Sequence, residues 1–238
     1  MSAWYPENKT ELEKTLNKFL DNKTDIVIPK NILGLIVPHA GYAYSGAIAG
    51  KAFSLLENKR FDKAIIIGPS HYFHTFEALT PSEKIWKTPI GEINLFNTDF
   101  KIGNLEQEHS IKNQVPFLQS MGINEIMPIM IGEITDNQAK DYAKKLADID
   151  ALYVFSTDLS HFFEYKKAAE TDRRSIDILE KLDNKKFKDL DACGFFPLKI
   201  MFELCKIKKT RPHLIEYKNS GDVTGDKSSV VGYASFYF

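Results

Sequence analysis

The chain lacks most of the features that would classify it at a glance. Its 238 residues include only two cysteines and two tryptophans, and the formal net charge is −1. With acidic and basic residues interspersed, so small a net charge argues against nucleic-acid or membrane-surface binding, both of which need a basic excess. No apolar run approaches the roughly 20 residues that a bilayer span requires. The start of the chain, Met1 to Pro6, has neither a basic patch nor an apolar core. No signal peptide is therefore expected, and the cytoplasm is the expected compartment. Cys193 and Cys205 are expected there as free thiols. A Gly-x-Ser-x-Gly elbow, a dinucleotide-binding glycine fingerprint and a Cys-x-x-Cys pair are all missing. The glycine- and aspartate-rich stretch 220–227 has neither the residue order of a phosphate loop nor calcium-loop spacing, and it reads as a tight surface loop near the rim of the site.

What is present is an ordinary globular composition, 43% hydrophobic and 26% charged, with no linker, repeat or low-complexity tract. It predicts a single domain over 1–238. Residues 9–20 carry Leu12, Leu16, Phe19 and Leu20 at helical spacing, behind an arm of Trp4, Tyr5 and Pro6. A short apolar piece covers 25–29. Short apolar runs at 33–37 and 151–155 read as buried strands, 125–131 as a further strand, and 65–67 as a strand buried on both faces, the mark of a parallel sheet. Between them lie expected helices at 45–57, rich in small residues that let it sit close to the sheet, at 107–121 with a kink at Pro116, and at 135–148. Residues 76–97 read as an antiparallel hairpin excursion. Further helices are expected at 165–181 and 197–207, with a Cys193-Gly194 turn between them, and closing strands at 213–217 and 229–238. The fold class is α/β, with a central mixed, largely parallel sheet flanked by helices.

Three of the apolar runs end alike. Val37-Pro38 leads to His39, Gly68-Pro69-Ser70 leads to His71, and Phe155-Ser156-Thr157 leads to Asp158 and His161. In open α/β sheets, ligands bind in the crevice at the carboxyl ends of the strands, so these side chains would share one rim. Either each histidine merely caps its strand with a backbone hydrogen bond, or the cluster is a metal site, an acid–base site, or both. Asp158 and His161, three residues apart, would face the same way on a helical turn and could act as a dyad. His109 is a further candidate, whereas His74 and His213 read as surface or packing residues. Cys193 allows two readings, a thiolate ligand or nucleophile and a buried small hydrophobe, and the residues by themselves favour the second. Cys205 reads as core.

Pro38-His39-Ala40-Gly41-Tyr42-x-Tyr44-Ser45-Gly46, Gly68-Pro69-Ser70-His71, Glu108-His109-Ser110, Ser156-x-Asp158-x-Ser160-His161, Cys193-Gly194 and Gly221-Asp222-Val223-Thr224-Gly225 occur in that order. Together with Trp4-Tyr5-Pro6 they resemble the Memo family, whose prokaryotic members are called AmmeMemoRadiSam system protein B. The resemblance implies a fold similar to that of the extradiol class III (LigB-type) dioxygenases, which use non-haem iron. It implies that His39, His71 and Cys193 are metal ligands, that Asp158 and His161 are the polar pair beside them, and that His109 lines the same pocket. Those dioxygenases complete their two histidines with a carboxylate, where this chain has Cys193. Two nitrogens and a sulfur suit copper or zinc as well as iron. The family name also implies AMMECR-like and radical-SAM proteins as partners, beside a small molecule or a peptide. The functional expectations are a metal-dependent redox enzyme with dioxygenase-like character, a non-catalytic binding protein on the same scaffold, and a zinc hydrolase.

Overall fold

The computed structural model describes residues 4–23, 26–27 and 29–238. The apolar piece expected at 25–29 falls partly outside them. The chain opens with α1 (Lys9–Leu20), capped by the Asn8 side chain, and continues through β1 (Gly34–Val37), α2 (Tyr42–Ser54) and β2 (Lys63–Pro69). An excursion follows: β3 (Ala78–Thr80), a hairpin of β4 (Ile85–Thr88) and β5 (Gly91–Leu95), then β6 (Lys101–Ile102). Next come α3 (His109–Lys112), α4 (Val115–Ser120), β7 (Glu125–Ile131), α5 (Asp136–Ala147), β8 (Leu152–Ser156) and β9 (His161–Phe163). The chain closes with α6 (Tyr165–Lys181), α7 (Phe195–Lys208), β10 (His213–Asn219), α8 (Ser220–Thr224) and β11 (Val230–Tyr237). No helix among the described residues is long and apolar enough to cross a membrane.

The strands form one mixed sheet in the order β10-β11-β1-β8-β2-β7-β3-β6, with β5 also beside β7 and β9 beside β11. At its centre β1, β8, β2 and β7 run parallel, so Ile36 lies beside Phe155, and Phe155 beside Ile67. Their side chains alternate between two apolar layers. Leu35, Val37, Ile66 and Val154 pack toward Leu12, Phe53 and Phe117. Ile36, Ile67, Met127 and Phe155 pack toward Ala143, Leu198 and Phe202. A strand covered on both sides needs apolar residues at every position, which is why these segments are runs and not alternations.

Three local expectations shift. The helix expected from Ser45 begins a turn earlier, with Gly41 as its N-cap, and the Ser45 hydroxyl donates to the Ala40 carbonyl. The small residues of α2 serve two faces. Ala49 and Ala52 join the sheet-side core, while Gly50 admits α1: a β-carbon there would lie 2.6 Å from the β-carbon of Phe19. The single helix expected over 107–121 is two short ones. Pro116 lies in the first turn of α4, where a missing amide costs nothing, and so it starts a helix instead of kinking one. The stretch 220–227 begins with α8, held by a reciprocal cap between Asn219 and Asp222.

Candidate metal centre

Because β8 lies between β1 and β2, the three strands deliver His39, His71 and the 157–161 segment to one end of the sheet. The start of α7 brings Cys193 to the same place. The His39 Nε2 and the Cys193 sulfur are 3.2 Å apart, and the ligand atoms of His39, His71 and Cys193 all lie within 4.8 Å of one another. Ideal tetrahedral geometry at ordinary metal–ligand lengths separates ligand atoms by about 3.3–3.7 Å. The histidine–cysteine pair, at 3.2 Å, is slightly closer than that spacing.

Hydrogen bonding decides which ring nitrogens are free. The Ser156 hydroxyl has one proton, and it donates it to the Ser110 carbonyl. Towards the His39 Nδ1, 3.0 Å away, Ser156 is therefore an acceptor, so Nδ1 carries the proton. The Nε2 lone pair of His39 is left facing the sulfur. His71 donates from Nδ1 to one oxygen of Glu108 at 2.8 Å and from its backbone amide to the other, also at 2.8 Å, which leaves its own Nε2 free. A protein group that holds the second nitrogen and orients the ring is the usual support for a metal-binding imidazole.

Burial, followed by the nearby His71, lowers the His39 pKa to about 3, so the ring is neutral at physiological pH. His109 is lowered to about 4, again by burial first and then by His39 and His71. Burial works against the charged form of Glu108, but the hydrogen bonds from His71 and Ser110 outweigh it and hold the carboxyl at about 2. Burial first, and then the Asp158 carboxylate, push the Cys193 thiol above its ordinary value. The metal-free resting pair is thus a neutral imidazole and a neutral thiol. A cation of borderline softness would displace the thiol proton and find two nitrogens and a sulfur, so the donor set fits such a metal.

The loop carrying His39 is clamped on several sides. Its amide donates to Asp158 at 2.7 Å, and its carbonyl accepts from the Asn113 side chain at 2.7 Å. Gln114 donates to the Pro38 carbonyl at 3.0 Å and to Ser156 at 2.9 Å. Asp158 and His161 do not share a helical turn: residues 157–160 are loop, and His161 opens β9. The Asp158 carboxylate takes the His39 and Ala40 amides, and its second oxygen lies 4.0 Å from the His39 Nε2. Burial raises its pKa, partly offset by those amides. His109 lies beside the centre, its ring 4.4 Å from His71 and 5.4 Å from His39. It accepts or donates a 3.1 Å bond with the Tyr72 hydroxyl, and it stacks on Trp4 at 4.1 Å.

Above these residues opens a cleft of about 640 Å³. His39, His71, His109, Asp158 and His161 form its polar part, and Trp4, Tyr44, Phe162 and Tyr233 are among the apolar walls. The N-terminal arm is anchored, as its composition suggests: the Trp4 carbonyl accepts the Tyr42 amide at 2.9 Å. Its part in the cleft wall was not foreseen. His74 is exposed, His213 stacks on Tyr237 far along the sheet edge, and Cys205 is fully buried.

Glu108, Asn113 and Gln114 emerge only from the structure. Nothing in the mostly polar run 107–114 marks the two adjacent amides as buried, and once buried they must find partners. Gly194 meets its expectation. A β-carbon there would lie 2.5 Å from the Thr157 β-carbon and 3.2 Å from the Ser156 carbonyl, so only glycine lets the Cys193 turn reach β8. Gly194→Ala is expected to cost about 1–3 kcal/mol in urea denaturation and to weaken metal uptake along with it.

The match to known proteins covers nearly the whole chain. Residues 2–237 fit the family described as Memo-like protein. A MEMO1 family protein of Sulfurisphaera tokodaii is 36% identical over 238 aligned residues, covering 88% of this chain and 84% of that one. Those of Nitrosopumilus maritimus and Aquifex aeolicus are each 31% identical over 264 and 261 residues, with 99% of this chain and 96% of theirs aligned. On a family match of this extent, and on relatives 31–36% identical over most of their length, the protein belongs to the Memo family.

Proposed function

We propose that this Memo-family protein is a metal-dependent redox protein, with iron or copper held by His39, His71 and Cys193 and zinc as the third fit. The observation that carries the reading is the assigned lone pair on the His39 Nε2, 3.2 Å from the Cys193 sulfur, with His71 completing the set. Three protein ligands leave coordination positions open toward the cleft, the arrangement of a working site and not of a structural one. A redox-active ion bound there would supply one-electron chemistry and polarise an oxygen ligand.

The chain's own residues supply the rest. Glu108 and Ser156 fix the two imidazoles, and Asp158 fixes the His39 loop. His109, neutral at physiological pH, and His161 are the proton-handling side chains facing a ligand in the cleft. Trp4, Tyr44 and Tyr233 exclude water from around it. A dioxygenase-like reaction on a small molecule is the specific form of this reading. Elemental analysis of protein purified without chelator tests it: one ion of iron or copper per chain is expected. Metal-free protein that takes up none of the three metals on titration would refute it.

A further inference from the structure

Within β9 the backbone of Phe162 lies in the left-handed region, with φ at +62°. Three other non-glycine residues among those described have positive φ. Leu182 and Lys209 end α6 and α7, and Asp99 sits in the bend before β6. Phe162 is the only one of the four inside a strand. The pairing of β9 with β11 explains the conformation. His161 faces Val231 and Phe163 faces Val230, so two steps along β9 match one step along β11. Phe162 is the extra residue of a β-bulge. Glycine fills such a position without strain, whereas a bulky aromatic residue fills it against its steric preference.

Strain of this kind is normally offset by packing. Phe162 packs little, since 76% of its surface is open. Its ring lies at the cleft wall, edge-on to the His161 ring at 5.7 Å. Tyr44, also in that wall, is 46% exposed. Bulges recur beside functional sites because they re-aim one side chain, and here the re-aimed side chain is a large apolar ring with nothing of its own to cover.

We propose that Phe162 is a specificity-determining residue of the cleft, whose ring packs against a planar, unsaturated group of a small molecule while the polar head of that molecule is held at the His39–His71–Cys193 centre. This rests on the metal reading above for the head, and on the bulge and the aromatic walls for the planar group. Offset or edge contacts among rings are the favoured packing for such a group.

Imidazole and 4-phenylimidazole share a metal-binding head and differ by one phenyl ring. Both are titrated calorimetrically into metal-loaded wild type, Phe162→Ala and Phe162→Gly, with metal content measured in each. The wild type is expected to hold 4-phenylimidazole at least about tenfold more tightly than imidazole. Both variants are expected to lose most of that ratio and to keep the affinity for imidazole. Without ligand, Phe162→Ala is expected to melt with the wild type, and Phe162→Gly to melt above Phe162→Ala, the reverse of the usual order inside a strand. A phenyl preference that survives in both variants, or an alanine variant that melts well below wild type, overturns the proposal. If none of the three proteins takes up metal, the reading of the centre fails instead. The melting order, read on metal-free protein, then still decides whether Phe162 is kept for the stability of the fold, which would overturn its role in the cleft.

Discussion

Replacing His39 with alanine is expected to lower metal affinity by at least about 100-fold, more than the 10- to 100-fold usual for groups that merely support a ligand. The ring supplies the nitrogen 3.2 Å from the sulfur, and the neighbouring His109 stacks on Trp4 and bonds to Tyr72 instead. The Asp158 oxygen 4.0 Å from the His39 Nε2 is tied through its carboxylate to the His39 and Ala40 amides. The loop should survive the change, because its hold is through the backbone: the amide to Asp158, the carbonyl to Asn113, and Pro38 to Gln114. In the metal-free protein the loss is two bonds, to Ser156 and to the Cys193 thiol, and a small cavity, about 1–3 kcal/mol. Competition titration with a chromogenic chelator separates the two effects. His74→Ala, exposed and outside the cleft, serves as the control and should bind like wild type. A His39→Ala protein within tenfold of wild type would remove His39 from the ligand set.

Glu108→Gln should produce the second largest change. Three protons point at this buried carboxylate: from the His71 amide and Nδ1, both at 2.8 Å, and from the Ser110 amide at 3.0 Å, the last as the N-cap of α3. Glutamine has one acceptor oxygen, so its amide nitrogen must face one of the donors. His71 then loses its orientation, and metal affinity should fall about 10- to 100-fold. The same change alters the response to acid. The folded carboxyl titrates near 2 and an ordinary glutamate near 4.5, so the folded pKa is depressed. Its stabilisation is fully present above about pH 4.5 and is lost as pH falls toward 2, with a ceiling of about 3 kcal/mol. In metal-free protein, the stability gap between wild type and Glu108→Gln should therefore shrink from pH 5 to pH 3 in urea titrations. A gap that stays constant over that range would mean the carboxylate is not held in its charged form by His71.

The parts of this molecule that could be read from its sequence share a physical cause. Strands covered on both faces must be apolar throughout, so the cores of β1, β2, β7 and β8 stood out, and the histidine or aspartate after each of three ends stood out with them. The parallel order that sets β8 between β1 and β2 then does the rest, bringing His39 and His71 together across 32 positions of chain. Cys193 needed the family resemblance, because a lone cysteine beside a glycine has no periodicity to betray it. Glu108, Asn113 and Gln114 act only through tertiary pairing: their partners, His71, His39 and Ser156, lie 37 to 74 positions away. The break between α3 and α4 was hidden by a hydrophobic pattern that runs through both. β9 escaped notice because three residues, one of them in a left-handed bulge, do not alternate like a strand.

The account depends on one point in space, common to two imidazole nitrogens and a sulfur. Crystals of protein purified without chelator, measured on both sides of the iron and copper absorption edges, test it most directly. The expected result is a single anomalous peak about 2.0–2.3 Å from the Nε2 atoms of His39 and His71 and from the Cys193 sulfur. A peak held instead by Glu108 and His109, or no peak in protein soaked with each metal in turn, would contradict it.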